Sequence, residues 1–263
     1  MELKRILSGL ENLKAKGNLD INIENLESDS RKVTPNTLFV AITGYDVDGH
    51  DYIQDAIANG ASAVLVENLE KLRTIKLPST VTIIVTDNTR HALAIAACNF
   101  YDNPSRKFKL IGLTGTKGKT TTSYMIKTLL EAQGKKVGLI GTIENFIGAD
   151  SIGESSRTTP ESLELQRMFA KMVENEVEYV VMEVSSQALK LHRVDGCDFD
   201  IGIFTNFSKE HISEKEHTDL DDYFNSKLKL FDMCKKAFIN IDDFRGTRVK
   251  NYAKCEVKTY GID

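Results

Sequence analysis

The sequence lacks the features of a membrane or secreted protein. No apolar stretch approaches the roughly 18 residues of a membrane span. The first residues, MELKRILSGLENLKAKGN, hold neither the apolar core nor the cleavage site of a signal peptide, so we expect a cytoplasmic protein. No basic run stands out, and the formal net charge of −4 argues against nucleic acid as the main partner. We therefore predict no membrane and no nucleic-acid partner, and we expect a monomer.

Cysteine is sparse, and its spacing excludes two kinds of site. The four cysteines, Cys98, Cys197, Cys234 and Cys255, form no C-x-x-C pair, which indicates reduced thiols rather than zinc ligands or disulfides. Internal repeats and low-complexity tracts are also missing from the sequence. The composition is that of an ordinary globular protein, 41% hydrophobic and 27% charged, and 263 residues suggest about two domains.

One stretch, residues 109–130 (KLIGLTGTKGKTTTSYMIKTLL), organises the rest of the chain. It predicts a strand, a glycine-rich turn and a helix, because an apolar run precedes the turn and apolar residues recur at helical spacing after it. Gly115 and Gly118 lack a Cβ, so successive N–H groups can point inward and bind phosphate oxygens at the helix N-terminus. Lys119 is placed to reach the terminal phosphates, and the Thr120 hydroxyl to bind the magnesium that they carry.

The match to the general phosphate-loop pattern G-x-x-x-x-G-K-[ST] is not strict. The first glycine of that pattern falls at Leu113, whereas this chain has glycines at Gly112 and Gly115. The alternative is a glycine loop beside a solvated lysine. Because a strand before the loop and a helix after it are both predicted, we favour phosphate binding.

Strands that alternate with helices on both sides of this stretch predict an α/β fold with two domains. The first, residues 1–105, is a small N-terminal α/β domain that starts with a helix over residues 4–15. The second, residues 106–263, is a mostly parallel phosphate-loop sheet with an exposed excursion at 142–157 and a helix at 220–233. Its end, KTYGID, predicts a strand that leads further, so we expect a truncated ATPase domain and a piece of a longer protein.

Candidate catalytic side chains follow the strands of the second domain. Glu183 ends the apolar run 179–182, typical of a buried parallel strand, at the edge where ligands bind. A carboxylate there suits Mg²⁺, and the alternative is a glutamate that faces water. His211 follows the strand that ends at Phe204 and can ligate a metal or contact phosphate, although a lone loop histidine is more often solvated. The spacing of Lys227 by itself assigns it no role.

Other polar groups fit either structure or binding. Residues 185–187 (SSQ) suit contacts to a polar substrate and equally suit a helix N-terminus. In the first domain, loops 28–31 and 46–50 flank a predicted strand at 38–42. Such loops can bind a nucleotide or a sugar, or they can be turns.

These residues resemble a known family. The loop 114–121 (TGTKGKTT) is similar to the ATP loop of the Mur ligases, whose form lacks the strict first glycine. Further blocks fall in the order of that family, and together they resemble its MurE type. The blocks are DSR at 29–31, LFVAITG at 38–44, DGH at 48–50, TTPE at 158–161, MEVSS at 182–186 and TNFS at 205–208.

The resemblance implies an ATP-dependent, amide-forming ligase of peptidoglycan precursor synthesis. Such a ligase adds the third amino acid to UDP-N-acetylmuramoyl-L-Ala-D-Glu: ATP phosphorylates the D-Glu carboxylate, and the amine of the amino acid attacks the acyl phosphate. The resemblance leaves open which amino acid is added. The implied cofactors are ATP and Mg²⁺, and the implied ATP-binding residues are Gly115, Thr116, Lys117, Gly118, Lys119, Thr120 and Thr121.

Residue roles follow by family position. Thr120 and Glu183 would hold one Mg²⁺; His211 would help with a second, as would Lys227 if it is carbamylated. Glu210 replaces the aspartate that usually precedes the histidine, which preserves the charge. The implied catalytic set is Lys119, Glu183, His211 and Lys227.

The nucleotide-sugar substrate is expected between the two domains. Leu191 stands where some members carry glutamine, so that substrate contact is not carried over. Ser30, Tyr45 and Asp46 would hold uridine diphosphate, and Thr158, Thr159, Ser185 and Arg193 would hold the muramoyl-peptide.

Mur ligases also have a third, C-terminal domain that selects the amino acid and closes over ATP. We expect this chain to lack it and to be inactive, or nearly so, in amide formation. Two alternatives remain: a related ligase of the folylpolyglutamate synthase type, and a non-catalytic module that binds UDP-muramoyl peptide or ATP.

Overall fold

A computed structural model describes residues 1–210, 212–213 and 216–262. The chain divides into two compact units, Met1–Asp102 and Asn103–Asp263. The division falls three residues before the boundary predicted between residues 105 and 106. Within the described ranges, no helix combines the length and the apolar character needed to cross a bilayer.

The first unit is built on a five-stranded sheet in the order β1-β5-β4-β3-β2. All its pairings are parallel except that of β1 with β5. The strands at the centre are rich in β-branched residues and buried, as expected of a sheet covered on both faces. Its elements are α1 Leu3–Ile6, β1 Lys14–Lys16, β2 Asn25–Glu27, β3 Thr37–Val40, α2 Ile53–Ala58, β4 Ala61–Val66, β5 Thr82–Val85 and α3 Thr89–Phe100.

The helix predicted over residues 4–15 is wrong in extent. Helix α1 ends at Ile6, and the last two residues of the predicted helix, 14 and 15, belong to the edge strand β1. The backbone of Gly9 (φ +83°) and Asn12 (φ 56°) is left-handed, which a continuing right-handed helix excludes. Periodic apolar residues alone did not reveal these two turns.

The second unit contains an eight-stranded sheet in the order β13-β12-β11-β6-β10-β7-β8-β9. The pairings from β13 to β7 are parallel, and β8 and β9 add an antiparallel hairpin. The mixed, mostly parallel α/β fold is confirmed. Its strands are β6 Lys109–Thr114, β7 Val137–Ile140, β8 Glu144–Ile147, β9 Asp150–Glu154, β10 Tyr179–Glu183, β11 Phe199–Phe204, β12 Cys234–Asn240 and β13 Glu256–Tyr260. Its helices are α4 Lys119–Glu131, α5 Ser162–Glu174, α6 Ser186–Lys190, α7 Leu220–Leu228 and α8 Gly246–Tyr252.

Three details of this unit differ from the sequence prediction. Residues 142–157, expected as an excursion, contain the hairpin β8–β9, which turns at Gly148 (φ +63°) and extends the sheet. Helix α7 ends at Leu228 rather than at Met233. Helix α8 was not predicted, because its short sequence carries a single fully buried apolar residue, Val249.

The sheet order explains where the site lies. Strand β6 has β10 on one side and β11 on the other, and all three run in the same direction. Their carboxyl ends therefore meet at one edge, which is the usual ligand-binding edge of a parallel sheet. The loop after β6, Glu183 at the end of β10 and the segment after β11 all lie there.

Candidate nucleotide and substrate site

The glycine-rich loop joins β6 to α4, as the sequence predicts. Gly115 has φ +149°, and a Cβ built there would lie 2.0 Å from Thr205 Oγ1. Gly118, the residue before α4, is also left-handed, with φ +79°. Both positions therefore require glycine for conformational reasons, and Gly115 requires it for space as well.

The loop is braced by Asn206, which follows β11. Asn206 O accepts from Thr116 N at 2.9 Å, and Asn206 Oδ1 accepts from Lys117 N at 2.9 Å. Asn206 Nδ2 also donates to Lys117 O at 3.0 Å. The backbone N–H groups of Thr116 and Lys117, which were expected to face phosphate, therefore stabilise the loop conformation instead. The Thr205-Asn206 pair was part of the family blocks, but this bracing was not predicted.

Lys119 folds back over the loop. Its Nζ donates to Gly115 O at 2.9 Å and to Thr116 O at 3.2 Å. Burial lowers the pKa of Lys119, while Glu183 and Glu210 act in the opposite direction. The amino group therefore lies at the loop itself, where a phosphate would be bound.

Glu183 is fully buried, so the alternative of a glutamate facing water is wrong. Thr120 Oγ1 donates to Glu183 Oε2 at 3.0 Å, which joins the two residues expected to share Mg²⁺. Thr142 adds a backbone N–H to Oε1 at 3.0 Å and a hydroxyl to Oε2 at 3.1 Å. At Gly141 a Cβ would lie 2.5 Å from Oε1, so the chain leaves no space beside the carboxylate.

Lys227, to which spacing alone assigned no role, is also buried. Its Nζ donates to Gly115 O at 2.9 Å and lies 4.3 Å from the centroid of the Tyr223 ring. Burial, and next the nearby Lys119, lowers the pKa of Lys227 well below its ordinary value. Tyr223 OH in turn donates to Thr116 Oγ1 at 3.1 Å, so α7 contacts the phosphate loop at two points.

The histidine expected at the second metal, His211, lies outside the described residues. Its neighbour Glu210 is described, and it pairs with Lys117 at 3.2 Å between Oε1 and Nζ. The pair connects the segment after β11 to the exposed tip of the phosphate loop.

A cleft of about 220 Å³ opens beside Lys119 and Lys227. The four residues expected to hold the muramoyl-peptide line it, namely Thr158, Thr159, Ser185 and Arg193. Ser186 and Gln187, which the sequence left open between a substrate contact and a helix N-terminus, line it too. His217 and Tyr223 also line it, and neither was assigned from the sequence.

Three of the expected substrate residues also have structural partners. The buried Thr159 hydroxyl donates to Glu183 O at 2.9 Å and accepts from Ser185 N at 3.0 Å. Arg193 donates to Thr159 O at 3.2 Å and pairs with Glu161 at 2.9 Å. Ser185 Oγ accepts from Ala188 N at 3.1 Å, so it caps α6 and lines the cleft at once.

The first unit has its own cavity, of about 500 Å³, lined by Ser30 and by its neighbours Asp29 and Arg31. The Arg31 side chain lowers the pKa of the Asp29 carboxyl to about 2 through a hydrogen bond. Among the described residues, Tyr45 and Asp46 are not part of this lining, and the Tyr45 side chain is largely exposed.

The 46–50 loop is partly structural. His50 is buried, with Nδ1 2.7 Å from Asp48 Oδ1. Its Nε2 accepts from Glu67 N and Asn68 N, each at 3.2 Å. Because Nε2 accepts, the proton is on Nδ1, and the histidine connects this loop to the end of β4.

Together, the parallel sheet, the phosphate loop after β6 and the buried carboxylate after β10 define a P-loop protein of the α/β class. A model of the Mur ligase middle domain matches residues 113–263, and a model of the Mur ligase family catalytic domain matches residues 22–101. The chain belongs to the Mur ligase family. The resemblance stated from the sequence motifs is thereby confirmed.

Individual relatives agree with this assignment. The UDP-N-acetylmuramoyl-L-alanyl-D-glutamate–2,6-diaminopimelate ligase 1 of Clostridium acetobutylicum is 47% identical over 262 residues, which are 100% of this chain and 53% of the relative. The chain therefore spans about half the length of the curated relatives it matches.

Solved structures show the same fold. The structure of a UDP-N-acetylmuramoyl-L-alanyl-D-glutamate–2,6-diaminopimelate ligase has a TM-score of 0.80 at 24% identity, over 99% of this chain and 52% of that one. The MurF ligase of Thermotoga maritima in complex with ADP has a TM-score of 0.52 at 18% identity, over 90% of this chain and 50% of that one. At these identities the likeness concerns the fold alone.

Proposed function

We propose that this chain is the nucleotide-sugar and ATP-binding part of a ligase that joins 2,6-diaminopimelate to UDP-N-acetylmuramoyl-L-alanyl-D-glutamate. Family membership and the name of the 47% identical relative support this substrate and this amino acid. Because ATP and nucleotide-sugar precursors are made in the cytoplasm, the proposal includes that location. The part of the reaction assigned to this chain is to bind and orient ATP and the nucleotide-sugar peptide.

The observation that carries the proposal is the meeting of two lysines, the partly buried Lys119 and the buried Lys227, at one carbonyl. Lys119 Nζ and Lys227 Nζ each donate to Gly115 O at 2.9 Å. Two cationic amino groups placed side by side, one of them buried, are unfavourable, so the site favours a neutral Lys227 or an anion that compensates the pair. A triphosphate, or the carboxylate that it phosphorylates, supplies such an anion at this place.

The oxygen donors beside the loop fit Mg²⁺. Thr120 and Glu183 are already in contact, and a carboxylate with a hydroxyl is the donor set that Mg²⁺ uses beside nucleotide phosphates. Bound there, the ion would neutralise charge on the phosphates. Thr142 would keep the carboxylate oriented towards it.

The reaction assigned to the site has two steps. A carboxylate oxygen of D-Glu attacks the γ-phosphorus of ATP, the bond from that phosphorus to the β–γ bridging oxygen breaks, and ADP leaves. The amine of diaminopimelate then attacks the carbonyl carbon of the acyl phosphate, loses a proton and releases phosphate. Positioning and charge neutralisation supply most of the catalysis in such phosphoryl transfers, and Lys119 would contribute both.

Lys227 has two possible forms in this scheme. Its lowered pKa favours the neutral amine, which is the form that reacts with carbon dioxide to give a carbamate. A carbamate would turn the side chain into an oxygen ligand beside the loop, and His211 is the expected partner for a second metal. The unmodified side chain would instead bind the anion directly.

The cavity of the first unit is the proposed site for uridine diphosphate. Ser30 lines it, and Arg31 brings a guanidinium beside it. A pyrophosphate group suits a guanidinium and the N–H groups of a polar loop. Tyr45 and Asp46, on the neighbouring turn, remain proposed contacts that close over the ligand when it binds.

Calorimetric titration tests the proposal with two ligands added separately, ATP with Mg²⁺ and UDP-N-acetylmuramoyl-L-Ala-D-Glu. We expect the chain to bind both. Lys119→Ala should weaken ATP binding at least about tenfold and leave the nucleotide-sugar affinity unchanged. Lys250→Ala, which removes an exposed lysine of α8, is the matched control.

The same titration separates the alternatives. Binding of a folate in place of the nucleotide-sugar would favour a folylpolyglutamate synthase type. If the chain binds both proposed ligands, it is tested for turnover with the remaining part of a full-length relative added. If no ADP forms on prolonged incubation, a non-catalytic module is favoured. Failure to bind either ligand would contradict the proposal outright.

A further inference from the structure

A buried histidine holds the hydroxyl of a serine that lines the cleft. His217 Nε2 lies 2.9 Å from Ser186 Oγ, and His217 Nδ1 lies 3.2 Å from Asp222 Oδ2. The histidine is almost fully buried, and both it and Ser186 line the cleft beside the phosphate loop. The proposed reaction assigns none of these three side chains a role.

Asp222 is the fixed, charged end of this chain of contacts. Its Oδ2 accepts from Lys190 Nζ at 2.7 Å and from Thr218 N at 3.1 Å. Burial by itself would raise the pKa of Asp222, but the hydrogen bonds from Lys190, Thr218 and His217 lower it to about 2. Lys190 also donates to Glu216 O at 3.0 Å, which ties α6 to the segment before α7.

The partners determine which nitrogen of His217 carries the proton. A carboxylate can only accept, so Nδ1 carries the hydrogen that faces Asp222. Burial lowers the pKa of His217, although Asp222 opposes the shift, and the ring is neutral at neutral pH. A neutral ring with its proton on Nδ1 has an acceptor at Nε2.

The direction of the last hydrogen bond follows. The Ser186 hydroxyl donates its only hydrogen to His217 Nε2, across the 2.9 Å contact. The lone pairs of its oxygen then remain for a ligand in the cleft. Ser186 thus offers a neutral acceptor of fixed orientation, in a cleft where the guanidinium of Arg193 can only donate.

We propose that Ser186 is a substrate-binding residue that accepts a hydrogen bond from a peptide N–H of the nucleotide-sugar peptide, with His217 and Asp222 as positioning residues. A neutral acceptor suits an uncharged amide N–H. The inference rests on the proposed function, because it takes the peptide-bearing substrate as the ligand.

The test compares two ligands that differ only in the peptide, UDP-N-acetylmuramoyl-L-Ala-D-Glu and UDP-N-acetylmuramic acid. Calorimetry on the whole chain should show that Ser186→Ala weakens binding of the peptide-bearing ligand about fivefold to tenfold and leaves the other unchanged. Ser151→Ala removes an exposed hydroxyl on the hairpin and should bind both ligands as the wild type does. Far-UV circular dichroism confirms that each variant is folded.

A second measurement determines directly which nitrogen of the His217 ring carries the proton. Nitrogen-15 NMR of the His217 ring should show the neutral form with the proton on Nδ1 in both wild type and Ser186→Ala. A proton on Nε2 would overturn the inference, because Ser186 would then accept from the ring and donate to the ligand.

The outcomes distinguish this inference from the proposed function. Unchanged affinity of Ser186→Ala for both ligands, or an equal loss for both, would refute the role of Ser186 while the proposed function stands. Failure of the wild type to bind either ligand would remove the proposed function itself, and the inference with it.

Discussion

Thr142 holds the buried carboxylate of Glu183 with two groups at once. Its backbone N–H donates to Oε1 at 3.0 Å, and its hydroxyl donates to Oε2 at 3.1 Å. Thr120 donates to that same Oε2 at 3.0 Å. Both carboxylate oxygens therefore have fixed partners, and the orientation of the expected Mg²⁺ ligand is set before any ion binds.

Removal of the Thr142 hydroxyl should weaken Mg²⁺ binding. Thr142→Val keeps the shape and the backbone donor but loses one hydrogen bond to a charged group, typically about 1.5–3 kcal/mol. We expect ATP binding to require several times more Mg²⁺, as measured by titrating the ion at constant nucleotide. Thr142→Ser restores the hydroxyl and should behave as the wild type, and a Thr142→Val protein with unchanged Mg²⁺ requirement would contradict this role.

Gly115 should tolerate no side chain. Gly115→Ala places a Cβ 2.0 Å from Thr205 Oγ1 at φ +149°, so the loop or its brace must move. We expect a loss of more than about 2 kcal/mol in the free energy of unfolding, together with loss of ATP binding.

Gly134→Ala is the matched control for that substitution. Gly134 also has a positive φ, +76°, but a Cβ there meets nothing within 4 Å. Backbone strain alone should lower the free energy of unfolding by about 1 kcal/mol and leave ATP binding intact. If urea unfolding shows the same loss in the free energy of unfolding for both variants, the contact with Thr205 does not contribute to the effect of Gly115→Ala.

The buried Lys227 should make stability rise with pH. Its folded-state pKa is lowered, so above that pKa the unfolded chain binds more protons than the folded one, up to the ordinary 10.5. The free energy of unfolding of the wild type should therefore increase on going from neutral pH towards pH 10, by more than that of Lys227→Met.

Urea unfolding at several pH values measures this difference. Lys250→Met, at an exposed site, is the control and should follow the wild type. A Lys227→Met protein whose stability rises with pH as steeply as the wild type would show that Lys227 is not neutral in the folded state.

The sequence predicts the centre of the second unit well. Strand β6, the glycine loop, helix α4 and Glu183 at the end of β10 were all expected, because their signals are local: glycine spacing, apolar runs and periodicity. The prediction of the N-terminal helix was wrong in extent because Asn12 adopts a positive φ, a conformation that composition does not reveal.

The missing parts of the site depend on distant partners. Thr142 contacts Glu183 across 41 positions of sequence, and His217 contacts Ser186 across 31. Neither pair has a characteristic spacing, so only the sheet order and the packing of α6 against α7 bring them together. Lys227 illustrates the same limit, since the sequence does not distinguish this lysine, buried over Tyr223, from Lys229 two positions later.

The phosphate loop and Glu183 are expected to act on the same nucleotide. A crystal structure of this chain with Mg²⁺ and a non-hydrolysable ATP analogue tests this directly. We expect the triphosphate along the loop between Gly115 and Lys119, with the ion bound to Thr120 Oγ1 and a Glu183 oxygen. A nucleotide seated in another cleft, with the loop empty, would contradict the account.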